Sequence, residues 1–412
     1  MKKIIYINLD GFSYSYYELA KKLGKTKIFD KFAEDGFIFS SLQSGIISIT
    51  NPMQSAILSG AWSNKTHNFY QHYDKEIKQI VKHLRRNDAE NVASAYLRNN
   101  LSTISIHQFM LENTPCLYDV KDRAYFRTKE MPSNYLPRLD ILKNIILQQP
   151  VKSKELEFVY DELPEFISVY VDDLDSLGHN NSIYDSIPIR HKLEERLDDI
   201  IKRIEAIQEK LLEIVNACKA RGIYEEIVFL ITTDHGMTKF EGKSLINDLL
   251  TEINNLGIKA SLVANRDDET EVILLPYNIE CSIYYEKPLS NEKEERLIKL
   301  LDSLEYLDYL NKKTLTSRYS MDERGPEFLV CAKPFGHFYH RDYDKGFYGA
   351  AHDSFDETSQ HIFGLLFGSN VSKKGVYKRH IESIDLIPTI VKHVHGITLR
   401  DATGKIYEDF FK

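Results

Sequence analysis

The chain has 412 residues, 42% hydrophobic and 28% charged, the composition of a globular protein long enough to bury a large core. A net charge of −8 excludes a global basic field that would recruit nucleic acid or an anionic membrane. Four cysteines, Cys116, Cys218, Cys281 and Cys331, lie far apart without a CxxC pair, so a disulfide framework is not expected and reduced thiols in a cytoplasm are the simpler reading.

After Met1-Lys2-Lys3 the apolar stretch IIYI meets Asn8 and Asp10 too early for a signal segment, and no run is apolar enough to span a bilayer. The expectation is a cytoplasmic protein with neither a membrane nor a stable nucleic-acid partner. Residues 3–8 (KIIYIN) predict a buried parallel strand ending in Leu9-Asp10-Gly11. Residues 27–35 predict a helix and 37–41 a short strand. Thr50, before Asn51-Pro52 and the apolar-periodic MQSAIL, predicts an N-cap with proline near the first turn. Residues 75–90 alternate charge with Ile77, Ile80, Val81 and Leu84 and predict a helix, with KHLRR (82–86) on its solvated face. A strand is expected over 102–106, a helix over 136–149 and a central strand over 165–171. The long apolar stripe of 188–220 predicts a helix ended by Arg221-Gly222, followed by the strand EIVFLITT (226–233). Strand, helix, strand at this spacing is a βαβ unit, which implies a parallel sheet with helices on both faces.

From about 244 to 339 the rhythm changes to short strands (SLVAN, EVILLP, CSIYY, EFLVCAK) around one helix, 291–304. The core resumes near Tyr343 with a strand over 362–368 and a closing helix over 385–394. The expected fold is therefore α/β, a doubly wound and mostly parallel sheet, with 1–243 and 340–412 as core and 244–339 as an inserted α+β subdomain.

Seven residues at the ends of these segments carry the chemistry: Asp10, Thr50, Asp175, His179, Asp234, His235 and His352. In a parallel α/β sheet, ligands bind beyond the carboxyl ends of the strands, where Asp10, Asp175 and Asp234 fall. Asp175 and His179 are four apart, so one helical turn aims both at one ion. Asp234 and His235 need a turn to point the same way, which Gly236 permits. Thr50 at a helix start gains oriented N–H groups that favour an alkoxide and a phosphate. Three aspartates and a deprotonated Thr50 balance two divalent cations, so the site accepts an anionic phosphate ester. Each residue alone is more often a turn, a cap or a satisfied core group. The reading rests on their joint occurrence at strand ends.

The segments LDGF, TNPMQSAILSG, DLDSLGH, TTDHGM and GAAHD, in this order, resemble the type I phosphodiesterase/nucleotide pyrophosphatase family of the alkaline phosphatase superfamily. The stretch 367–396 resembles the superfamily's closing strand and helix. The resemblance implies that Asp175, His179 and His352 hold one metal, that Asp234, His235 and Asp10 hold a second, and that Thr50 contacts the second metal as nucleophile. Zinc is the metal it implies, with manganese as the alternative. It also implies cleavage of phosphodiester or pyrophosphate bonds of small phosphate esters through a phospho-threonine. A phosphomonoesterase or phosphonate hydrolase, or a degenerate binding protein on the same scaffold, are the alternatives.

The family's phosphate-binding asparagine falls in a stretch that here reads THNFYQHYD (66–74), leaving Asn68, Gln71 and His72 as candidates. Asp353 replaces the glycine that usually follows the last histidine, which makes His337, His340 and His361 alternatives to His352. Phe69, Tyr70, Tyr73 and Tyr118 are candidates for stacking on a substrate. A protonated His72 is expected to raise monoester turnover as pH falls. No oligomeric state is read from the sequence.

Overall fold

Eight strands form the central sheet, in the order Gly375–Tyr377, Gly36–Phe39, Gly364–Gly368, Ile227–Thr232, Lys3–Leu9, Phe166–Val171, Thr103–Ile106 and Tyr125–Phe126. Gly364–Gly368 runs antiparallel to both its neighbours; every other pairing is parallel. The computed structural model describes residues 2–112, 120–129, 133–180, 188–343 and 349–412, which leaves Cys116 and Tyr118 outside the described residues. Among those described, no helix is long and apolar enough to cross a membrane.

Lys3–Leu9 is buried throughout, and its alternation divides the core in two. Ile5, Ile7 and Leu9 join a cluster beneath the long helix Leu193–Ala220 and the helix Tyr135–Ile146. Ile4 and Tyr6 join the opposite cluster, beneath Thr50–Ser59, Val92–Arg98 and Leu386–His395. The apolar stripe of Leu193–Ala220 packs on the sheet from Ile200 to Cys218. Helices therefore cover both faces, as the βαβ pattern implies.

Two expectations are corrected. Residues 75–90 are not a helix: Gln71–Asp74 and Gln79–Lys82 pair as an antiparallel hairpin. Asp74 accepts from the N–H groups of Glu76 and Ile77, and Lys78 turns at φ 55°, which closes the chain before a helix can propagate. Ile77 and Leu84 are exposed there and form no core stripe, and KHLRR leaves the second strand instead of lining a helix. Second, Thr50 is not the N-cap. Ile49 holds that position and Thr50 is the first helical residue, its hydroxyl turned outward to a histidine.

A second sheet of five strands has the order Ala260–Leu262, Val272–Pro276, Glu280–Tyr285, Phe328–Ala332 and Leu307–Asn311. Leu307–Asn311 is an additional strand. Two helices besides Asn291–Ser303 occur in this region, Ile246–Asn255 and Lys312–Tyr319. The sheet has its own apolar cluster, built on Leu249, Val272, Ile283, Leu297 and Val330.

Candidate active site

Strand register assembles the site. Asn8 is level with Thr232 on one side, and Leu9 is level with Val171 on the other. Three parallel strands thus end together, and the residues that follow them (Asp10, Asp234 and the short helix Asp173–Gly178) share one rim. The rim is tight. Gly11 turns at φ +75°, and a Cβ there would lie 2.7 Å from the Cα of Asp175. Gly236 matters through close approach and not through a left-handed turn: its Cβ would lie 2.0 Å from the carbonyl oxygen of Thr358.

Two groups of potential ligands result, Asp10 with Asp234 and His235, and Asp175 with His179 and His352. Within each group the ligand atoms lie within 4.8 Å of one another. Thr50 Oγ1 is 3.0 Å from His235 Nε2, which is itself 3.1 Å from Asp10 Oδ1. The groups adjoin: the His235 and His352 rings stack with centroids 3.6 Å apart.

All three histidines are oriented the same way. Nδ1 donates to a backbone carbonyl in each: His179 to Ala350 at 2.8 Å, His352 to Ser48 at 2.7 Å and His235 to Gly236 at 3.0 Å. This fixes the tautomer that turns the Nε2 lone pair into the site, the arrangement of a metal-ligating imidazole. The aspartates are also held. Tyr170 donates to Asp10 Oδ2, and Gln54 donates to Asp234 Oδ2 at 2.9 Å. Gln108 in turn donates to Gln54 Oε1 at 2.8 Å.

Asp10 Oδ1 and Asp175 Oδ1 are buried without a hydrogen-bond partner. Burial and the carboxylates of Asp234 and Asp175 push Asp10 well above the usual carboxylate range. Burial also opposes ionisation of Asp175, but the His179, His352 and His235 imidazoles hold it well below that range. Burial disfavours a charged His179, yet Asp175 lifts it to about 9, while burial and His235 push His352 well below its ordinary value. Crowded buried carboxylates with unpartnered oxygens and pre-aimed imidazoles fit divalent cations.

The model of the type I phosphodiesterase / nucleotide pyrophosphatase family matches residues 4–356. The chain belongs to that family. It is a hydrolase of a metal-dependent family, with the alkaline phosphatase-like fold. Human ectonucleotide pyrophosphatase/phosphodiesterase 5 superposes with a TM-score of 0.69 at 17% identity, all of each chain being covered. Its murine counterpart gives 0.68 at 16%, again over both whole chains. An inactive threonine-to-alanine form of the murine protein in complex with AMP gives 0.68 at 15%, with the same coverage. No curated protein matches the chain in sequence.

In this phosphodiesterase-family chain, His352 rather than His337, His340 or His361 stands beside Asp175 and His179. His337 Nε2 instead faces the carbonyl of Gly242, His361 Nε2 faces that of Ser40, and His340 lies against Tyr339. The three phosphate-binding candidates separate. Asn68 spends its amide on Arg86 O at 2.8 Å and Ser55 Oγ at 3.0 Å, so it braces the loop. His72 is buried and bonds His83 across 2.8 Å, and burial lowers its pKa. Burial thus opposes a cationic His72, which works against the expected rise of monoester turnover as pH falls. Gln71 is half-buried and lines a small cavity with Ile49 and Tyr70.

Sequence reasoning missed Gln54, Gln108, Tyr170 and Ser48. Gln54 had a signal, since it lies four residues after Thr50 on the same helical face. Tyr170 had none, because it reads as an ordinary strand residue until the register sets it beside Asn8.

Proposed function

We propose that the protein is a two-metal hydrolase that cleaves phosphodiester or pyrophosphate bonds of small, nucleotide-like phosphate esters, with Thr50 as nucleophile. The single observation carrying this reading is the placement of Thr50 Oγ1, 3.0 Å from His235 at the junction of the two ligand groups. The murine neighbour's complex with AMP supports a nucleotide-like ester as the substrate class. We read 244–339 as an inserted subdomain on the rim of this site, and the buried free thiols Cys218, Cys281 and Cys331 support a reducing, cytoplasmic setting.

Asp175, His179 and His352 would hold one cation, and Asp10, Asp234 and His235 the other. Aspartate and imidazole donors suit zinc, and also manganese. Bound there, the cations supply Lewis-acid stabilisation of phosphoryl charge and lower the pKa of the Thr50 hydroxyl. Thr50 Oγ forms a bond to phosphorus as the ester bond opposite it breaks and the hydroxyl proton leaves with the released alcohol or phosphate, giving a phospho-threonine that keeps the other substituent. Water then cleaves the phosphorus–Oγ bond and restores the hydroxyl. The start of the Thr50–Ser59 helix presents its dipole to the anion.

Gln54 positions Asp234. Gln54→Leu is expected to weaken metal binding about 10- to 100-fold with little change in fold. Competition titration against a chromogenic chelator reads this directly; unchanged affinity would remove Gln54 from the site.

Diesters are the expected substrates. Among the described residues, the side chains bonded to Thr50 and the ligand groups are Tyr170, Gln54, Thr233 and histidines, with no lysine or arginine. A monoester dianion brings an additional charge that such a site leaves uncompensated. Zinc-loaded protein should show a higher kcat/KM for a nitrophenyl diester than for the matched monoester. A monoester preference at every pH would sink the diesterase reading.

A further inference from the structure

Asp353, directly after His352, is buried and bound to the second sheet. Its Oδ2 accepts from the backbone N–H groups of Asn278 at 2.9 Å, Ile279 at 2.9 Å and Glu280 at 3.1 Å, and its Oδ1 accepts from Asn278 Nδ2 at 3.1 Å. One carboxylate thereby anchors the turn between Val272–Pro276 and Glu280–Tyr285 to the residue beside a proposed ligand. Tyr277 opens that turn.

Its ring lies 4.8 Å from that of Tyr70, tilted against it. Tyr70 is held from the other side. It sits at φ 71°, a left-handed conformation rarely tolerated by a bulky side chain. Its N–H donates to Asn68 Oδ1 and its carbonyl accepts from His83 N–H at 2.7 Å. Asn68 also reaches the carbonyl of Asn51, the neighbour of Thr50. Both tyrosines thus come from turns tied to residues adjoining the site. They line one cavity of about 30 Å³ with Ile49, which directly precedes Thr50.

We propose that Tyr70 and Tyr277 form the wall that receives the spectator ester group of a phosphodiester, the organic substituent that is not released, and that Asp353 is its positioning residue. In-line attack places the leaving oxygen opposite Thr50, so a wall flanking Thr50 faces an equatorial substituent instead. The wall offers two ring faces and, since burial and Asp353 push Tyr277 well above the ordinary tyrosine value, a neutral phenol on Tyr277. Such a surface suits an uncharged aromatic or hydroxyl-bearing group.

The inference rests on the phosphodiesterase reading, and two diesters with the same leaving group separate them. Bis(4-nitrophenyl) phosphate and methyl 4-nitrophenyl phosphate differ only in the spectator. In zinc-loaded Tyr277→Ala, kcat/KM should fall about tenfold more for the first than for the second, mainly through KM. Tyr277→Phe, which keeps the ring and the packing, should show a smaller change of the same sign. Asp353→Ala should reproduce the alanine effect. Asp353→Asn, whose carbonyl oxygen can still accept the three N–H groups, should restore most of the wild-type ratio. An unchanged ratio in Tyr277→Ala and Tyr277→Phe, with both diesters still cleaved, would overturn the proposal and leave the phosphodiesterase reading standing. If the wild type cleaves neither diester, both fall.

Discussion

Thr50→Ala is expected to abolish turnover while leaving the fold and the metal content in place. The substitution removes one hydroxyl at the first position of a helix whose stability comes from its buried Met53, Ile57 and Leu58, so the expected stability change is only about 0.5 kcal/mol. Both ligand groups keep all of their carboxylates and imidazoles. What disappears is the hydroxyl that bonds His235 Nε2, and with it the atom proposed to attack phosphorus. The expected loss in kcat is roughly 10⁴-fold or more, because a water molecule lacks the fixed position of Oγ. Circular dichroism and elemental analysis establish that the variant is folded and loaded; nitrophenol release measures the loss. Acid quenching of the wild type during turnover should trap on Thr50 the phosphoryl group with its unreleased ester substituent, read by mass spectrometry of the 50–59 peptide. Near-wild-type turnover by the alanine variant would end the covalent mechanism.

The parts of the fold that were legible were those where one physical signal stood alone. Lys3–Leu9, Phe166–Val171 and Ile227–Thr232 are apolar runs stopped by Asp, Gly or Thr, and buried parallel strands have no other explanation. Their ends also pointed to the site, because carboxylates and imidazoles recur together at several strand ends, although each alone reads as an ordinary turn. The hairpin Gln71–Lys82 was misread because Ile77, Ile80, Val81 and Leu84 mimic helical spacing, while the local bonds of Asp74 decide the turn. Leu307–Asn311 was hidden by its polar residues: it is an edge strand, held by backbone pairing with Phe328–Ala332 more than by burial. The supporting residues Tyr170, Gln108 and Asp353 act across 160, 54 and 75 positions of chain respectively, and no local pattern encodes a partner at that range.

Two separable metal sites are expected, and removing them should cost all activity. Purified protein should carry about two divalent ions per chain. Asp175→Asn leaves His179 and His352 in place and should weaken one ion on the order of 10²-fold, with the other retained. Asp234→Asn should weaken the second ion similarly, and there the consequences differ. Asp234 shares its group with His235, which faces Thr50 Oγ1, so the loss reaches the nucleophile itself. The asparagine amide can still offer an oxygen to Gln54 Nε2, so the buried network need not collapse and the variant should remain folded. At metal concentrations that refill both sites, Asp175→Asn should therefore recover more of its phospho-threonine formation than Asp234→Asn. Stopped-flow nitrophenol bursts resolve this, since the burst reports the first displacement and the steady state reports the second. Equal bursts in the two variants would show that the ligand groups do not divide the work. Full activity after exhaustive chelation would contradict the assignment of all six ligands at once.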